Sequence, residues 1–143
     1  MWVPKQFATE EDLLMALEEG VSAGNWGEVC GLIWTAQPLR SRKFTPILCC
    51  ILDNHKNEFT FEAAVDGLMG IRDPSSVPAL VRAVEYHQDS DDGFHINEKI
   101  LNTLFAIRND EAIEGLRLAA QSREPWISNR AKSYLKSLDE RCG

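Results

Sequence analysis

The sequence lacks any continuous apolar run of about 18 residues, which is the length that a membrane-spanning helix needs. Residues 1–5 also lack the apolar core of a secretory signal peptide. We therefore expect a cytoplasmic protein that makes no membrane contact. The 143 residues suffice for a single domain with a hydrophobic core, and an apolar share of 44% argues against disorder along the whole chain.

The spacing of the cysteines suits neither disulfides nor metal binding. The four cysteines contain no Cys-x-x-Cys pair, and two of them are adjacent in sequence. Three lie in apolar stretches, where a free thiol behaves as a small hydrophobic group. Core packing is therefore the simplest interpretation for these three, which are Cys30, Cys49 and Cys50.

Motifs that support catalysis are also missing from the sequence. It contains neither a phosphate-binding Gly-x-x-x-x-Gly-Lys-[Ser/Thr] loop nor a dinucleotide-binding Gly-x-Gly-x-x-Gly pattern. No nucleophile elbow is present, and His55 lies in a polar linker that is typical of a loop. We predict that the protein is not an enzyme and needs no cofactor.

Basic residues are too few for a nucleic-acid-binding surface. Lysine and arginine total 15 against 22 acidic residues, which gives a formal net charge of −7. Nucleic-acid affinity comes mostly from cations that neutralise phosphates, so this balance argues against nucleic acid as a partner. The same balance favours a basic protein partner, which the negative field would attract.

Helix-capping signals recur along the whole chain, and no segment alternates apolar and polar residues for long enough to predict a strand. Thr9 followed by Asp12 predicts a helix start, and Gly20 is expected to end that helix. We predict an all-α single domain over residues 1–143 with about seven to eight helices. Its parts are an N-terminal capping helix at 10–19, repeat hairpins at about 26–54, 60–88 and 96–121, and a last helix at 126–139.

An internal repeat is the most informative feature of the sequence. Residues 68–83 align with residues 104–119 at an offset of 36. Five of the six aligned core and turn positions are identical, and the sixth pairs Val77 with Ile113. A period of this length built from two helices is typical of a solenoid, in which neighbouring hairpins share one core. The predicted core is Leu68, Ile71, Leu80, Leu104, Ile107 and Leu116.

The pattern Asp-Pro-x-x-Val-Pro-x-Leu at residues 73–80 resembles the turn and second helix of HEAT-like repeats. The resemblance extends from about Trp26 to the end of the chain and implies a right-handed α-solenoid with a protein-binding role. A compact, acidic protein with such repeats is similar to bacterial immunity proteins that bind and neutralise a basic toxin. The alternative is a HEAT-repeat scaffold or regulatory subunit of a housekeeping enzyme.

Two segments depart from the repeat and indicate where binding could occur. Residues 37–44 are longer and more basic than a tight turn, and residues 88–93 are rich in aspartate. The aspartate-rich loop does not match the EF-hand spacing, so we predict no metal site; an enzymatic role would require that this loop bind metal. The predicted partner-binding residues are Arg82, Glu85, Asp89, Asp91, Asp92, Glu114 and Arg117.

Three further side chains can be interpreted from their positions. Arg72 and Arg108 occupy equivalent places in the repeat near the hairpin turn, and both are expected to cap the last carbonyls of the preceding helix. Trp34 has helical spacing with apolar neighbours, so we expect it in the core.

Overall fold

The computed structural model describes residues 7–54, 58–86 and 93–142, which form α-helices and short 3₁₀ helices without any β-strand. This confirms the prediction of an all-α protein. The α-helices in the described part of the chain are α1 (Glu10–Ala23), α2 (Trp26–Ala36), α3 (Thr45–Asn54), α4 (Glu58–Ile71), α5 (Val77–Tyr86), α6 (Gly93–Ile107), α7 (Asp110–Ala119) and α8 (Pro125–Cys142). None of these helices is both long and apolar enough to cross a membrane.

The chain divides into two compact units, Met1–Ile71 and Arg72–Gly143. The first unit contains α1 to α4, and the second contains α5 to α8.

Helix α1 begins where the sequence predicts, because the Thr9 hydroxyl accepts a hydrogen bond from the Asp12 backbone N–H at 3.1 Å. The expected end at Gly20 is wrong, since the helix continues to Ala23 and stops at Gly24 in the left-handed conformation (φ 69°). Gly20 is buried against α2, and a Cβ there would lie 2.8 Å from Cγ2 of Val29. This glycine therefore permits close helix packing.

In the first unit, α2 and α4 pack side by side and run in the same direction. The Thr60 hydroxyl near the start of α4 donates to the Trp26 carbonyl at the start of α2, at 3.2 Å. Seven residues later in each helix, a Cβ at Gly67 would lie 3.9 Å from Cγ2 of Ile33. Helix α3 covers the same region, because Cδ1 of Leu48 would lie 3.1 Å from that Cβ.

In the second unit, α6 and α8 are likewise parallel. Arg130 of α8 donates to Glu98 of α6, and Asn102, one turn further along α6, donates to the hydroxyl of Tyr134 on α8. Helices α5 and α7 approach closely where Gly115 faces Val81, since a Cβ on this glycine would lie 2.6 Å from Cγ2 of the valine. Each unit thus contains helices that lie about one repeat apart in sequence and pack together.

The same connector recurs between helices three times. Arg40, Arg72 and Arg108 each have a positive φ (48°, 57° and 59°), and they are 32 and 36 residues apart. Each is followed by a residue with an extended backbone whose side chain accepts a backbone hydrogen bond two or three positions further on; these are Ser41, Asp73 and Asn109. A left-handed residue followed by a capping side chain ends one helix and starts the next.

The predicted capping role is confirmed for Arg108. Its backbone N–H donates to the Leu104 carbonyl, and its Nε donates to the Phe105 carbonyl, both at 3.0 Å. Arg72 shares the left-handed backbone of this position.

Burial agrees with the repeat alignment at four of the six predicted core positions. Leu68, Leu80, Leu104 and Leu116 are fully buried, whereas the two isoleucines at helix ends, at 71 and 107, are half-buried. The prediction for Trp34 is wrong, because 59% of its surface is exposed. Helix α2 buries its opposite side through Val29, Leu32, Ile33 and Ala36. Cys50 is also exposed, and Cys30 and Cys49 are half-buried, which corrects the core prediction for this group.

Candidate protein-binding surfaces

The predicted partner-binding residues that the structure describes lie on α5 and α7. Arg82 and Glu85 belong to α5, whereas Glu114 and Arg117 belong to α7. Arg82, Glu114 and Arg117 are exposed, and the approach of Val81 to Gly115 sets their two helices side by side. The remaining three, Asp89, Asp91 and Asp92, lie outside the described residues.

This surface carries charges of both signs. Arg117 donates to Glu114 at 3.4 Å across one helical turn, and both side chains are more than half exposed. An exposed pair of this kind partly cancels its own field and contributes little to stability. The described charges on α5 and α7 are therefore of both signs, and one pair of them partly offsets its own field.

The basic segment 37–44 is folded onto its own unit. It forms 3₁₀ helices at Gln37–Leu39 and Arg42–Phe44, and the Ser41 hydroxyl donates to the Glu10 carboxylate at 3.0 Å. The Lys43 ammonium pairs with Glu11, and Glu10 lies 4.0 Å away. The hydrogen bond from Lys43 lowers the pKa of Glu11, and the same bond raises the pKa of the lysine. This lysine therefore pairs with α1 within the unit.

In the described part of the first unit, acidic residues lie on the helices and basic residues lie in one connector. Helices α1 to α4 contain no lysine or arginine, and the cations in the described residues of this unit all lie in the connector at 40–43. The acidic residues on these four helices are Glu10, Glu11, Asp12, Glu18, Glu19, Glu28, Asp53, Glu58, Glu62 and Asp66. Residues 1–71 thus contain ten acidic and five basic residues, whereas residues 72–143 contain twelve and ten.

An acidic helix face with an apolar centre is the surface that sequence reasoning missed. Met15 is 59% exposed in the middle of α1. The surface around it is shallow and open, and its other residues, Glu18, Glu19, Ser22 and Ala23, all belong to α1. The signal was present in the sequence, because residues 11, 15, 18 and 22 follow helical spacing, but net charge alone did not locate it.

Exposed aromatic side chains mark another part of the first unit. Phe59 at the start of α4 is 79% exposed, and Trp34 of α2 is 59% exposed. The Cys30 thiol, one turn before Trp34, donates to the Phe59 carbonyl at 3.9 Å. Exposed aromatics are favoured anchors at protein interfaces, so this region is a second candidate surface.

A cluster of polar and aromatic side chains joins α6 to α8 in the second unit. Arg130 donates to both oxygens of Glu98 at 2.6 to 2.9 Å, and the Tyr134 hydroxyl donates to the same carboxylate at 3.1 Å. The ring of Tyr134 lies 4.9 Å from that of Phe105, and the Arg108 guanidinium lies 4.6 Å from the Phe105 ring. Burial raises the pKa of Tyr134. The side chains of this cluster hydrogen-bond and stack with one another, so the cluster holds α6 and α8 together.

A metal centre is not formed by the part of the chain that the structure describes. No group of three or more His, Cys, Asp or Glu side chains there could hold a metal ion. The aspartate-rich loop, which was the one candidate in the sequence, lies largely outside these residues.

Comparisons with models of protein families, with curated proteins and with solved structures found no match.

Proposed function

We propose that the protein is a non-catalytic protein-binding module whose partner is basic. The observation that carries this proposal is the charge of the first unit, where four helices contain ten acidic residues and no basic residue. Like charges concentrated on one unit repel one another and disfavour the compact state. A partner with complementary charge removes that repulsion and associates faster because the field attracts it.

The proposed architecture is a right-handed α-solenoid of HEAT-like repeats. The parallel packing of α2 with α4, and of α6 with α8, supports stacked hairpins in each unit. The recurring connector at Arg40, Arg72 and Arg108 supports the same repeat, because its spacing of 32 and 36 residues is one two-helix period.

The specific form that we propose is a cytoplasmic immunity protein that neutralises a basic toxin by binding it. Such a protein needs a large acidic surface and no catalytic group. The α1–α4 charges and the net charge of −7 suit this role. The alternative, a scaffold or regulatory subunit of a housekeeping enzyme, gains support from Trp34 and Phe59, because permanent interfaces are more apolar than transient ones.

Affinity capture from the native host with the tagged protein tests this proposal. We expect an equimolar complex with a basic protein, an association rate that falls as ionic strength rises, and protection of cells when both chains are co-expressed. A stoichiometric complex with a housekeeping enzyme, with little salt dependence, would support the scaffold alternative. Recovery of only acidic partners would contradict both the charge argument and the immunity role.

A further inference from the structure

The outer face of α1 combines exposed carboxylates with one exposed apolar side chain. We define this α1 outer face by the six residues Glu11, Asp12, Met15, Glu18, Glu19 and Ser22, all of which are exposed. The opposite side of the helix is buried through Leu13, Leu17 and Gly20. The packing of α1 therefore fixes which side chains the helix presents to solvent.

The carboxylates at the two ends of α1 differ in their structural role. Glu10, Glu11 and Asp12 occupy the first turn, where negative charge is stabilised by the helix dipole, and Lys43 pairs with the first two. Glu18 and Glu19 have no ion pair with any described residue, and the last turn of α1 contains no basic residue. Among the described residues, therefore, no cation offsets the charge of these two glutamates.

Met15 gives this face an apolar centre next to the carboxylates of Glu18 and Glu19. The open surface beside it is bordered by Glu18 and Glu19 on the same helix. Methionine is flexible and polarisable, and it is over-used at surfaces that accommodate varied partners. An aliphatic side chain that lies on this surface could contact Met15, while cations on either side pair with the two glutamates.

We propose that the α1 outer face is the docking site for a cationic amphipathic segment of the partner protein. The segment presents an aliphatic side chain to Met15, and lysine or arginine residues to Glu18 and Glu19. This inference rests on the proposed function and adds the location of the contact and the chemistry of the segment. It moves the contact from the α5–α7 residues of the second unit to the first unit.

A short synthetic peptide of leucine and lysine, with one apolar face, serves as the probe. Its affinity is measured by calorimetry at low ionic strength, and its site is mapped from amide chemical-shift changes in the ¹⁵N-labelled full chain. The test variant is Glu18→Gln/Glu19→Gln. The matched control is Asp139→Asn/Glu140→Gln, which removes the same charge from two adjacent exposed carboxylates near the end of α8.

We expect the largest shift changes in α1 and a loss of affinity of about tenfold in the α1 variant, against less than about twofold in the control. Met15→Ser should weaken binding by about fivefold, because the aliphatic contact is lost. Since all these side chains are exposed, the variants should keep the wild-type circular dichroism spectrum.

Two other outcomes would overturn the inference in distinguishable ways. Equal losses of affinity in the two double variants, or shift changes centred away from α1, would refute the docking site and leave the basic-partner proposal standing. A wild-type protein that does not bind the cationic peptide at all would refute both the docking site and the preference for a basic partner.

Discussion

Leu116 and Leu118 lie two positions apart on α7 in opposite environments. The first is fully buried, whereas the second is 53% exposed. Leu116→Ala removes buried methyl groups and leaves a cavity, so we expect a loss of about 2–5 kcal/mol in the free energy of unfolding. Leu118→Ala on the same helix is the control, and it should change stability by less than about 1 kcal/mol. Denaturant unfolding measures both, and equal losses would mean that the predicted core is wrong.

Substitution of Gly115 tests how closely α5 and α7 approach each other. Alanine is favoured over glycine in a helix by about 1 kcal/mol, but a Cβ here would lie 2.6 Å from Cγ2 of Val81. We expect Gly115→Ala to destabilise the protein, because overpacking costs about 1–3 kcal/mol. Val81→Ala removes the methyl group that the new Cβ would meet. Gly115→Ala should therefore cost less free energy of unfolding in the Val81→Ala background than in the wild type.

A second glycine provides the control for that substitution. Gly27 on α2 is exposed, and a Cβ there would have no atom within 4 Å. Gly27→Ala should therefore raise the thermal midpoint, since only helix propensity changes. If both glycine variants were stabilised, α5 and α7 would have to be further apart than the structure indicates.

Residue-level burial was predictable only where the repeat provided a template. Leu80 and Leu116 align in the repeat and are both fully buried, because equivalent positions meet equivalent neighbours. Trp34 has no such template, and hydrophobicity alone does not say which side of α2 faces the core. Since that helix is mostly apolar, its pattern left several faces possible.

At the scale of elements, the α6–α8 cluster should make the free energy of unfolding fall at alkaline pH. Burial raises the pKa of Tyr134 above the value of an unfolded chain, so the unfolded state loses this proton first. The stabilising contribution of the neutral phenol is therefore complete below about pH 10 and is lost as the pH rises through the folded-state pKa. We expect Tyr134→Phe to flatten the decline in unfolding free energy above that pH.

The pH prediction is checked by comparing how steeply the free energy of unfolding falls with pH in the wild type and in Tyr134→Phe. Unfolding is measured in wild type and Tyr134→Phe from neutral pH to pH values above the tyrosine range. Tyr86→Phe on α5 controls for the general effect of removing one tyrosine. The same slope in wild type and in the Tyr134 variant would show that this phenol does not couple ionisation to folding.

The connectors show why element boundaries were only partly predictable. Asp73 and Asn109 are strong capping residues, and the sequence predicted turns at both places. Residues 37–44 are longer and more basic than a tight turn, so the sequence predicts a departure from the repeat there and does not reveal the flanking 3₁₀ helices. Its backbone nevertheless has the same left-handed arginine and capping side chain as the other two.

At the scale of the whole molecule, the helical class and the approximate repeat could be predicted, whereas the candidate site could not. The helices and the 36-residue offset can be read from the sequence, because capping residues and apolar spacing are local signals. The binding surface depends on which sides of the helices remain exposed, and on which charges are already paired. Lys43 illustrates this, because its pairing with α1 brings together residues 32 positions apart.

Association with a basic partner should depend on the total charge of the molecule as well as on the contact residues. Charge reversal at Asp89, Asp91 and Asp92 makes the net charge less negative than −7. It should therefore slow association with the captured partner at low ionic strength. The opposite change, Arg117→Gln/Arg123→Gln, makes the protein more acidic and should speed association. Both effects should shrink as salt shortens the Debye length from about 30 Å at 0.01 M to about 8 Å at 0.15 M. Stopped-flow mixing measures these rates, and rates that stay the same in all three proteins at low salt would exclude electrostatic attraction as the reason for the acidic composition.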